Sequence, residues 1–230
     1  MRTLVLLSGG LDSSVLLHSL VTKHGSKNVI ALNMYYGQRH KKEIESARWQ
    51  AAKHNVPLFE EDLSEVFKFN RDFSALLEDS AKEIEHISYA EQTAKLGEHE
   101  AVSAYVPYRN GLFLSYAASV AMQLDCDSVA YGAHADDAAG RAYPDCSLEF
   151  VEAQDTAIRE GTAGKVSLYT PFIELAKMDI VSQGLMYGMT HEELEHTWSC
   201  YEGKEEPCGT CGTCRDRKVA FDANGIYDIK

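Results

Sequence analysis

The chain has 230 residues, of which 45% are hydrophobic and 25% are charged, and its formal net charge is −13. These values are typical of a soluble globular protein, and the negative charge disfavours nucleic acid, which is bound mainly through Lys and Arg. No signal peptide and no apolar run of the ~20 residues needed for a membrane helix is present, so we expect a cytoplasmic protein that binds neither membrane nor nucleic acid.

The first predicted element is a strand that runs into a glycine turn. Residues 4–7 are apolar, residues 8–14 read Ser-Gly-Gly-Leu-Asp-Ser-Ser, and a periodic apolar stretch follows. This pattern predicts a buried strand, a tight turn and a helix start. Glycines admit a ligand close to the backbone, and a helix N-terminus presents free N–H donors and a positive dipole end. The turn therefore predicts a phosphate site, with an ordinary strand–helix turn as the alternative.

The next residues repeat the alternation of strand and helix. We predict a strand over residues 28–36, a helix over 41–54 and a strand over 58–62, with Gln38, Arg39 and His40 after the first of these strands. Such alternation favours a three-layer αβα fold with a central parallel sheet, of the Rossmann-like class.

Residues 64–105 break this rhythm and form a polar insertion with scattered phenylalanines and leucines. An insertion of this length is a lid, a subunit contact or a covering element, and the sequence leaves that choice open. We expect His86 and His99 within it to be solvated, because neither has a ligand neighbour at a metal spacing.

The second half of the chain carries most of the polar side chains typical of binding sites. Arg109 and Asn110 precede a strong helical stretch, and a strand is predicted over residues 128–133. The loop that follows contains His134, Asp136, Asp137, Arg141, Tyr143, Asp145 and Cys146. A helix over 148–160, a strand over 166–171 and a helix from Lys177 to about Gly188 complete the predicted α/β domain, residues 1–190.

The segment over residues 191–230 is predicted to be a small metal-binding subdomain. Four of the six cysteines fall here, at Cys200, Cys208, Cys211 and Cys214. Clustered thiolates with two-residue gaps favour a structural zinc ion with a closed tetrahedral shell, and an iron–sulfur cluster is the alternative. Cys126 is expected to be a buried apolar residue. For Cys146, packing is favoured over a role as a nucleophile.

The sequence resembles a known family along nearly its whole length. Ser-Gly-Gly-Leu-Asp-Ser resembles the pyrophosphate loop of the ATP pyrophosphatases. The other matching pieces are Tyr-Gly-Gln-Arg-His at 36–40, Val106-Pro107 with Arg109-Asn110, Phe-Leu-Ser at 113–115, Tyr-Pro-Asp-Cys at 143–146, Glu149-Phe150, Lys177, Thr-Trp-Ser-Cys-Tyr at 197–201 and the late cysteines. Together they resemble the QueC family, the 7-cyano-7-deazaguanine synthases of queuosine-precursor biosynthesis.

This resemblance implies an adenine nucleotide alpha hydrolase-like fold and an ATP-dependent ligase. The implied reaction converts 7-carboxy-7-deazaguanine and ammonia into 7-cyano-7-deazaguanine by way of an adenylated acid and an amide. The implied cofactors are ATP, Mg²⁺ and a structural Zn²⁺, and the implied assembly is a homodimer.

The resemblance also implies which residues act. The residues implied to bind ATP are Leu7, Ser8, Gly9, Gly10, Leu11, Asp12, Ser13, Ser14 and Lys177. Asp12, Lys177 and Arg109 are the implied catalytic residues, with Asp12 helping to hold Mg²⁺. The implied substrate pocket consists of Gln38, Arg39, His40, Arg109, Asn110, Tyr143 and Asp145.

Two departures from the family pattern keep alternatives open. The loop between Asp137 and Tyr143 is longer than usual, and Ser147 stands where the family typically has Arg. One hypothesis is that Arg141 replaces that arginine. The alternative functions are a variant that stops at the amide or uses another amine, a tRNA-modifying ATP pyrophosphatase, and a non-catalytic nucleotide sensor.

Overall fold

Five parallel strands form one sheet in the part of the chain that the computed structural model describes, residues 1–97 and 100–227. In chain order they are β1 (Thr3–Leu6), β2 (Val29–Tyr35), β3 (Leu58–Asp62), β4 (Ser128–Ala130) and β5 (Ser167–Tyr169). Their order across the sheet is β3-β2-β1-β4-β5. The three-layer fold with a parallel sheet is therefore confirmed.

Helices cover both faces of this sheet. They are α1 (Leu11–His24), α2 (Lys42–Lys53), α3 (Ser64–Phe67), α4 (Tyr89–Thr93), α5 (Arg109–Gln123), α6 (Ala135–Ala138), α7 (Leu148–Gly161), α8 (Lys177–Met186), α9 (His191–Glu195) and α10 (Gly212–Ala223). The main core on one face joins α1, α8 and α10, and the core on the other face joins α5 and α7. None of these described helices is long and apolar enough to cross a membrane.

Strand β1 lies at the centre of the sheet and is buried on both faces. Leu4 packs into one core and Val5 into the other, because successive side chains of a strand point to opposite faces. Thr3 pairs with Val29 of β2 on one side and with Ser128 of β4 on the other. The chain leaves β1 toward β2 and returns later to β4, so a topological switch point lies between β1 and β4. Ligands bind at such points in open α/β sheets.

The insertion contains little regular structure. Besides α3 and α4, an isolated antiparallel bridge joins Leu77 to Gln38, which ties the insertion to the segment after β2. His86 lies on the surface, where its ring nitrogens contact Thr210 and Glu202. His99 lies outside the described residues.

The C-terminal segment packs directly on the α/β domain. Ala220 and Phe221 of α10 are buried in the same core as Leu16 and Leu17 of α1. The division at residue 190 stays a prediction, and the two parts share one core.

Candidate active site and cysteine cluster

The turn after β1 is pressed against the start of α2. Gly9 has a φ of 94°, and a Cβ at this position would collide with the carbonyl oxygen of Glu43 and lie 2.6 Å from the amide nitrogen of Ala47. The carbonyl of Gly9 accepts hydrogen bonds from Ser46 Oγ at 2.6 Å and from the N–H of Trp198 at 3.0 Å. The turn is therefore fixed from outside by α2 and by the C-terminal segment.

Side-chain hydroxyls cover the N–H groups of this turn. The N–H of Gly9 donates to Ser13 Oγ at 3.3 Å, and the N–H of Gly10 donates to Ser8 Oγ at 3.1 Å. The two hydroxyls lie 3.0 Å apart. A phosphate oxygen can take the place of either hydroxyl as acceptor, so the turn has the donors of an anion site at the N-terminus of α1.

Asp12, in the first turn of α1, lies in a buried cluster of charges. Its Oδ2 is 3.5 Å from Lys177 Nζ and 3.6 Å from His134 Nε2, and His134 is 3.3 Å from Asp137. Burial alone would raise the pKa of Asp12, but Lys177 and His134 outweigh burial and hold that pKa below its ordinary value. Oδ1 of Asp12 is buried and has no hydrogen-bond partner among the described residues.

Lys177 reaches this cluster from the start of α8. Its N–H donates to Asp136 Oδ2 at 2.7 Å, and its side chain lines a second cavity together with Asp216. Burial opposes the charge of Lys177, but Asp12 and Asp137 raise its pKa above the ordinary value. The lysine is thus a fixed cation beside the turn at residues 8–14.

A cavity of about 200 Å³ opens at the carboxyl ends of β1, β2 and β4, at the switch point. The predicted residues that line it are Leu7, Ser8, Asp12, Ser13, Gln38, Arg109 and Asn110. The other predicted loop residues, Gly9, Gly10, Leu11 and Ser14, lie in the turn or in the first helical turn after it.

Arg109 is held in this cavity by aromatic and polar neighbours. Its Nη1 donates to the hydroxyl of Tyr36 at 3.1 Å, and its guanidinium lies 5.1 Å from the centre of that ring. Its Nε donates to Asn110 Oδ1 at 3.3 Å, and the N–H of Asn110 donates to Asp145 Oδ2 at 3.0 Å. Asp145 therefore supports Arg109 through Asn110 and is not itself a lining residue.

Arg39 is directed away from the cavity. Its guanidinium donates to three main-chain carbonyls of the insertion, those of Leu77, Ser80 and Lys82. Its predicted role in binding substrate stays a prediction, while its position in the structure is that of a brace for residues 77–82.

Three tyrosine hydroxyls meet behind the cavity. Those of Tyr89 and Tyr143 are 2.8 Å apart, and both contact the hydroxyl of Tyr201, at 3.0 Å and 3.2 Å. His40 is buried and stacks on Tyr201 with 5.8 Å between ring centres. Burial lowers the pKa of His40 to about 4, so its ring is neutral near pH 7. Of these four residues only Tyr201 lines the cavity. The three tyrosines join the insertion to the C-terminal segment.

Sequence reasoning missed several lining residues. Glu43 lies on the cavity wall, and burial raises the pKa of its carboxyl to about 8, against the influence of Arg109. Asn33 in β2 donates through Nδ2 to the carbonyl of Leu7 at 2.7 Å. The signal for Asn33 was a lone amide within an apolar strand, whereas nothing distinguished Glu43 from other acidic residues of a helix.

The late cysteines converge as predicted. Sγ atoms of Cys200, Cys208, Cys211 and Cys214 lie within 4.8 Å of one another. The N–H groups of Cys208 and Cys211 each donate to a cluster sulfur at 3.3 Å. Four soft ligands supported by N–H donors fit a tetrahedral metal such as zinc.

The two remaining cysteines are both buried. Burial raises the pKa of the Cys146 thiol well above its ordinary value, and Sγ accepts from Asn110 Nδ2 at 3.3 Å. These contacts agree with a packing role for Cys146, because a nucleophilic cysteine needs a lowered pKa.

One of the two departures from the family pattern, Ser147, has a local explanation. Ser147 is the N-cap of α7, where its Oγ accepts from the N–H of Phe150 at 3.2 Å. Arg141 is exposed and does not line the cavity, so the structure gives no support to the hypothesis that it replaces a substrate-binding arginine. Arg109 already provides a cation there.

Comparisons with known proteins show which family the chain matches. A family model described as "Queuosine biosynthesis protein QueC" matches residues 2–225. A 7-cyano-7-deazaguanine synthase of Archaeoglobus fulgidus is 40% identical over 99% of this chain and 89% of its own length. The synthases of Nitratiruptor sp. and Pseudoalteromonas translucida are 38% and 34% identical over 99% of this chain, and the matches cover 97% and 96% of their lengths.

Proposed function

This chain belongs to the QueC family of queuosine biosynthesis proteins, and on that premise we propose that it is an ATP-dependent C–N ligase. Its substrates are 7-carboxy-7-deazaguanine, ammonia and ATP, and its product is 7-cyano-7-deazaguanine. The observation that carries the proposal is that the phosphate-binding turn and the cation of Arg109 line one cavity. Such a cavity brings a carboxylate up to a nucleotide.

The first half of the reaction turns the acid into an amide. A carboxylate oxygen attacks the α-phosphorus of ATP, and pyrophosphate leaves. Ammonia then attacks the carbonyl carbon of the acyl adenylate, AMP leaves with the C–O bond electrons, and the nitrogen loses a proton. Adenylation is needed because the oxygen of a free carboxylate is a poor leaving group.

The second half removes the remaining oxygen. The amide oxygen attacks the α-phosphorus of a second ATP, and pyrophosphate leaves again. Loss of AMP and of the remaining nitrogen-bound protons then forms the C≡N bond. The balance is two ATP consumed and two AMP and two pyrophosphate released for each nitrile.

The chain's own residues act on the phosphates from two sides. The turn at residues 8–14 donates its N–H groups to phosphate oxygens, and Lys177 neutralises charge that develops on the leaving pyrophosphate. Oδ1 of Asp12, which has no hydrogen-bond partner in the described part of the chain, fits a Mg²⁺ ligand. When bound, Mg²⁺ supplies positive charge to the phosphate oxygens.

Arg109 binds and orients the acid. Its guanidinium faces a cavity with aromatic walls from Tyr36, Phe113 and Tyr131, where an ion pair with a carboxylate is poorly screened. Gln38, whose Oε1 accepts from the N–H of Tyr36, offers its side-chain NH₂ group to the polar edge of a deazapurine, and Asn110 holds Arg109 in place. The cysteine cluster binds a structural zinc, because four thiolates leave no coordination position for water.

The test is incubation of the purified chain with ATP, Mg²⁺, ammonium and 7-carboxy-7-deazaguanine, followed by mass spectrometry. We expect the nitrile and two AMP for each product molecule, and neither with Lys177→Met. An amide end-point would select the family variant instead. No reaction, or a reaction that requires tRNA, would reject the proposal.

We also propose that the chain forms a homodimer in the cytoplasm. Exposed apolar side chains of the insertion support this assembly, since Phe69 is 80% and Phe73 is 61% exposed. One chain has a mass of 25.6 kDa, and light scattering after size exclusion is expected to give twice this mass for the wild-type protein. The double variant Phe69→Glu with Phe73→Glu is expected to have the mass of a single chain. A monomeric wild-type chain would reject the dimer.

A further inference from the structure

Two histidines and a glutamate converge at a place that the proposed reaction does not use. His18 lies on α1, His54 directly follows α2, and Glu193 lies in α9. Glu193 Oε1 is 3.3 Å from His18 Nδ1 and 3.2 Å from His54 Nε2. The three side chains are only 10%, 9% and 5% exposed. Their three ligand atoms all lie within 4.8 Å of one another.

The contacts of His18 require a positive charge at this place. Its Nε2 lies 3.1 Å from the carbonyl oxygen of Tyr187, which can only accept, and its Nδ1 faces the carboxylate of Glu193. A neutral imidazole has one N–H and cannot donate to both acceptors. If Nε2 keeps its proton, the lone pair of Nδ1 faces a carboxylate oxygen, and a cation between them removes the repulsion.

His54 adds a second ring nitrogen to the cluster. Its Nε2 is buried and has no hydrogen-bond partner in the described part of the chain, although Glu193 Oε1 is 3.2 Å away. A buried polar atom without a partner is costly, and a metal ion can satisfy it. The nitrogen thus offers a lone pair to the space beside the carboxylate.

The spacings and the supporting contacts resemble those of a metal site. Bonds of about 2.0–2.1 Å around a tetrahedral zinc place neighbouring ligand atoms about 3.3 Å apart, close to both distances found here. The outer nitrogen of His18 is held by a carbonyl, and Glu193 Oε2 accepts from the N–H and the hydroxyl of Thr190 at 2.7 Å each. Ligands of metal ions are commonly oriented by such contacts.

We propose that His18, His54 and Glu193 bind a second divalent metal ion of the zinc class, separate from the cysteine cluster. Two imidazoles and one carboxylate are ligands that zinc accepts, with water in the fourth position. The ion fastens α9 to α1 and to the end of α2. Since Trp198 follows α9 and holds Gly9, the ion also stabilises the segment that supports the phosphate-binding turn.

The first test is the zinc stoichiometry of the full chain. After equilibration with Zn²⁺ and removal of unbound metal, we expect two zinc ions per chain by elemental analysis, and one for His54→Ala or Glu193→Gln. His191→Ala, an exposed histidine of α9, is the control and keeps two. One zinc in the wild-type chain, or two in both site variants, would overturn the proposal.

The second test uses Co²⁺ and does not depend on variants. The cysteine cluster gives intense thiolate-to-cobalt bands in the near ultraviolet, whereas nitrogen and oxygen ligands give only weak visible bands. We expect one equivalent of Co²⁺ to produce thiolate bands and a second to add weak visible absorption alone. Saturation at one equivalent would overturn the proposal.

Discussion

The carboxylate of Asp12 lies 3.5 Å from the ammonium of Lys177, although the two residues come from opposite ends of the α/β domain. Asp12 lies in the first turn of the helix after β1, and Lys177 begins the helix after β5. Both are largely buried, and each lowers the free energy of the other's charged form. The pair therefore joins the turn at residues 8–14 to the late half of the fold.

The Asp12–Lys177 pair predicts strong coupling in unfolding free energy. Lys177→Met leaves His134 as the remaining partner of the Asp12 carboxylate and is expected to cost about 1–3 kcal/mol of stability. Asp12→Asn combined with Lys177→Met is expected to cost less than the sum of the two single changes. Urea denaturation of the four proteins measures this, and additive costs would contradict the coupling.

Arg109 is expected to act on the acid and not on ATP. Arg109→Ala removes charged hydrogen bonds worth about 1.5–3 kcal/mol and should lower kcat/KM for the acid roughly 10-fold to 150-fold. The KM for ATP should change little, and the corresponding amide, supplied directly, should be affected less because it is neutral. Arg141→Ala is the control, since its side chain lies outside the cavity. A larger effect on ATP than on the acid would refute this role.

Glu43 predicts a particular dependence of stability on pH. Burial raises its pKa from 4.5 to about 8 in the folded chain, so between these values the folded state holds a proton that the unfolded state releases. The contribution of Glu43 to stability therefore falls as the pH rises from about 4.5 to about 8. The side chain of Glu43→Gln does not ionise, so this variant lacks the loss of stability that Glu43 causes as the pH rises.

Thermal unfolding without nucleotide, from pH 6 to pH 9, measures the effect of Glu43. The Tm of Glu43→Gln minus that of the wild-type chain is expected to increase by several degrees up to about pH 8 and then to level off. A difference that does not vary with pH would show that Glu43 is already ionised at pH 6.

Metal removal should weaken both the fold and nucleotide binding. Cys211→Ser, or a strong chelator, is expected to lower the Tm by about 10 °C, because the cysteine cluster has few core residues around it. Nucleotide affinity should fall as well, since Trp198 lies two residues before Cys200 and donates to Gly9. Cys126→Ala, which removes a buried cysteine outside the cluster, controls for nonspecific loss. Unchanged nucleotide affinity in the metal-free chain would exclude this link.

The sequence predicted those parts of the fold that depend on local pattern. Strand β3 begins and ends where expected, and α2 differs by one residue at each end. Strand β4 is shorter than residues 128–133, because Gly132 and Ala133 leave the sheet to line the cavity. Periodicity alone cannot detect where a strand stops pairing.

The site was harder to predict, because it depends on contacts between distant segments. The motif around Ser8 and Asp12 was predicted from consecutive residues, and the cavity includes both. The direction of Arg39 depends on the bridge between Gln38 and Leu77, which no local pattern encodes. The His18–His54–Glu193 cluster likewise depends on a contact between distant segments, since Glu193 lies 175 residues after His18.

The central position of β1 has a consequence for synthesis on the ribosome. Its first neighbour, β2, emerges soon after it, but its other edge stays unpaired until β4 has been made. A nascent chain that ends before β4 therefore exposes an apolar strand edge, which is prone to aggregation. Lys177, which contacts Asp12, and Trp198, which donates to Gly9, emerge later still. The turn at residues 8–14 is therefore made early but gains these contacts only near the end of synthesis. Truncated chains are thus expected to depend on chaperones and to bind no nucleotide.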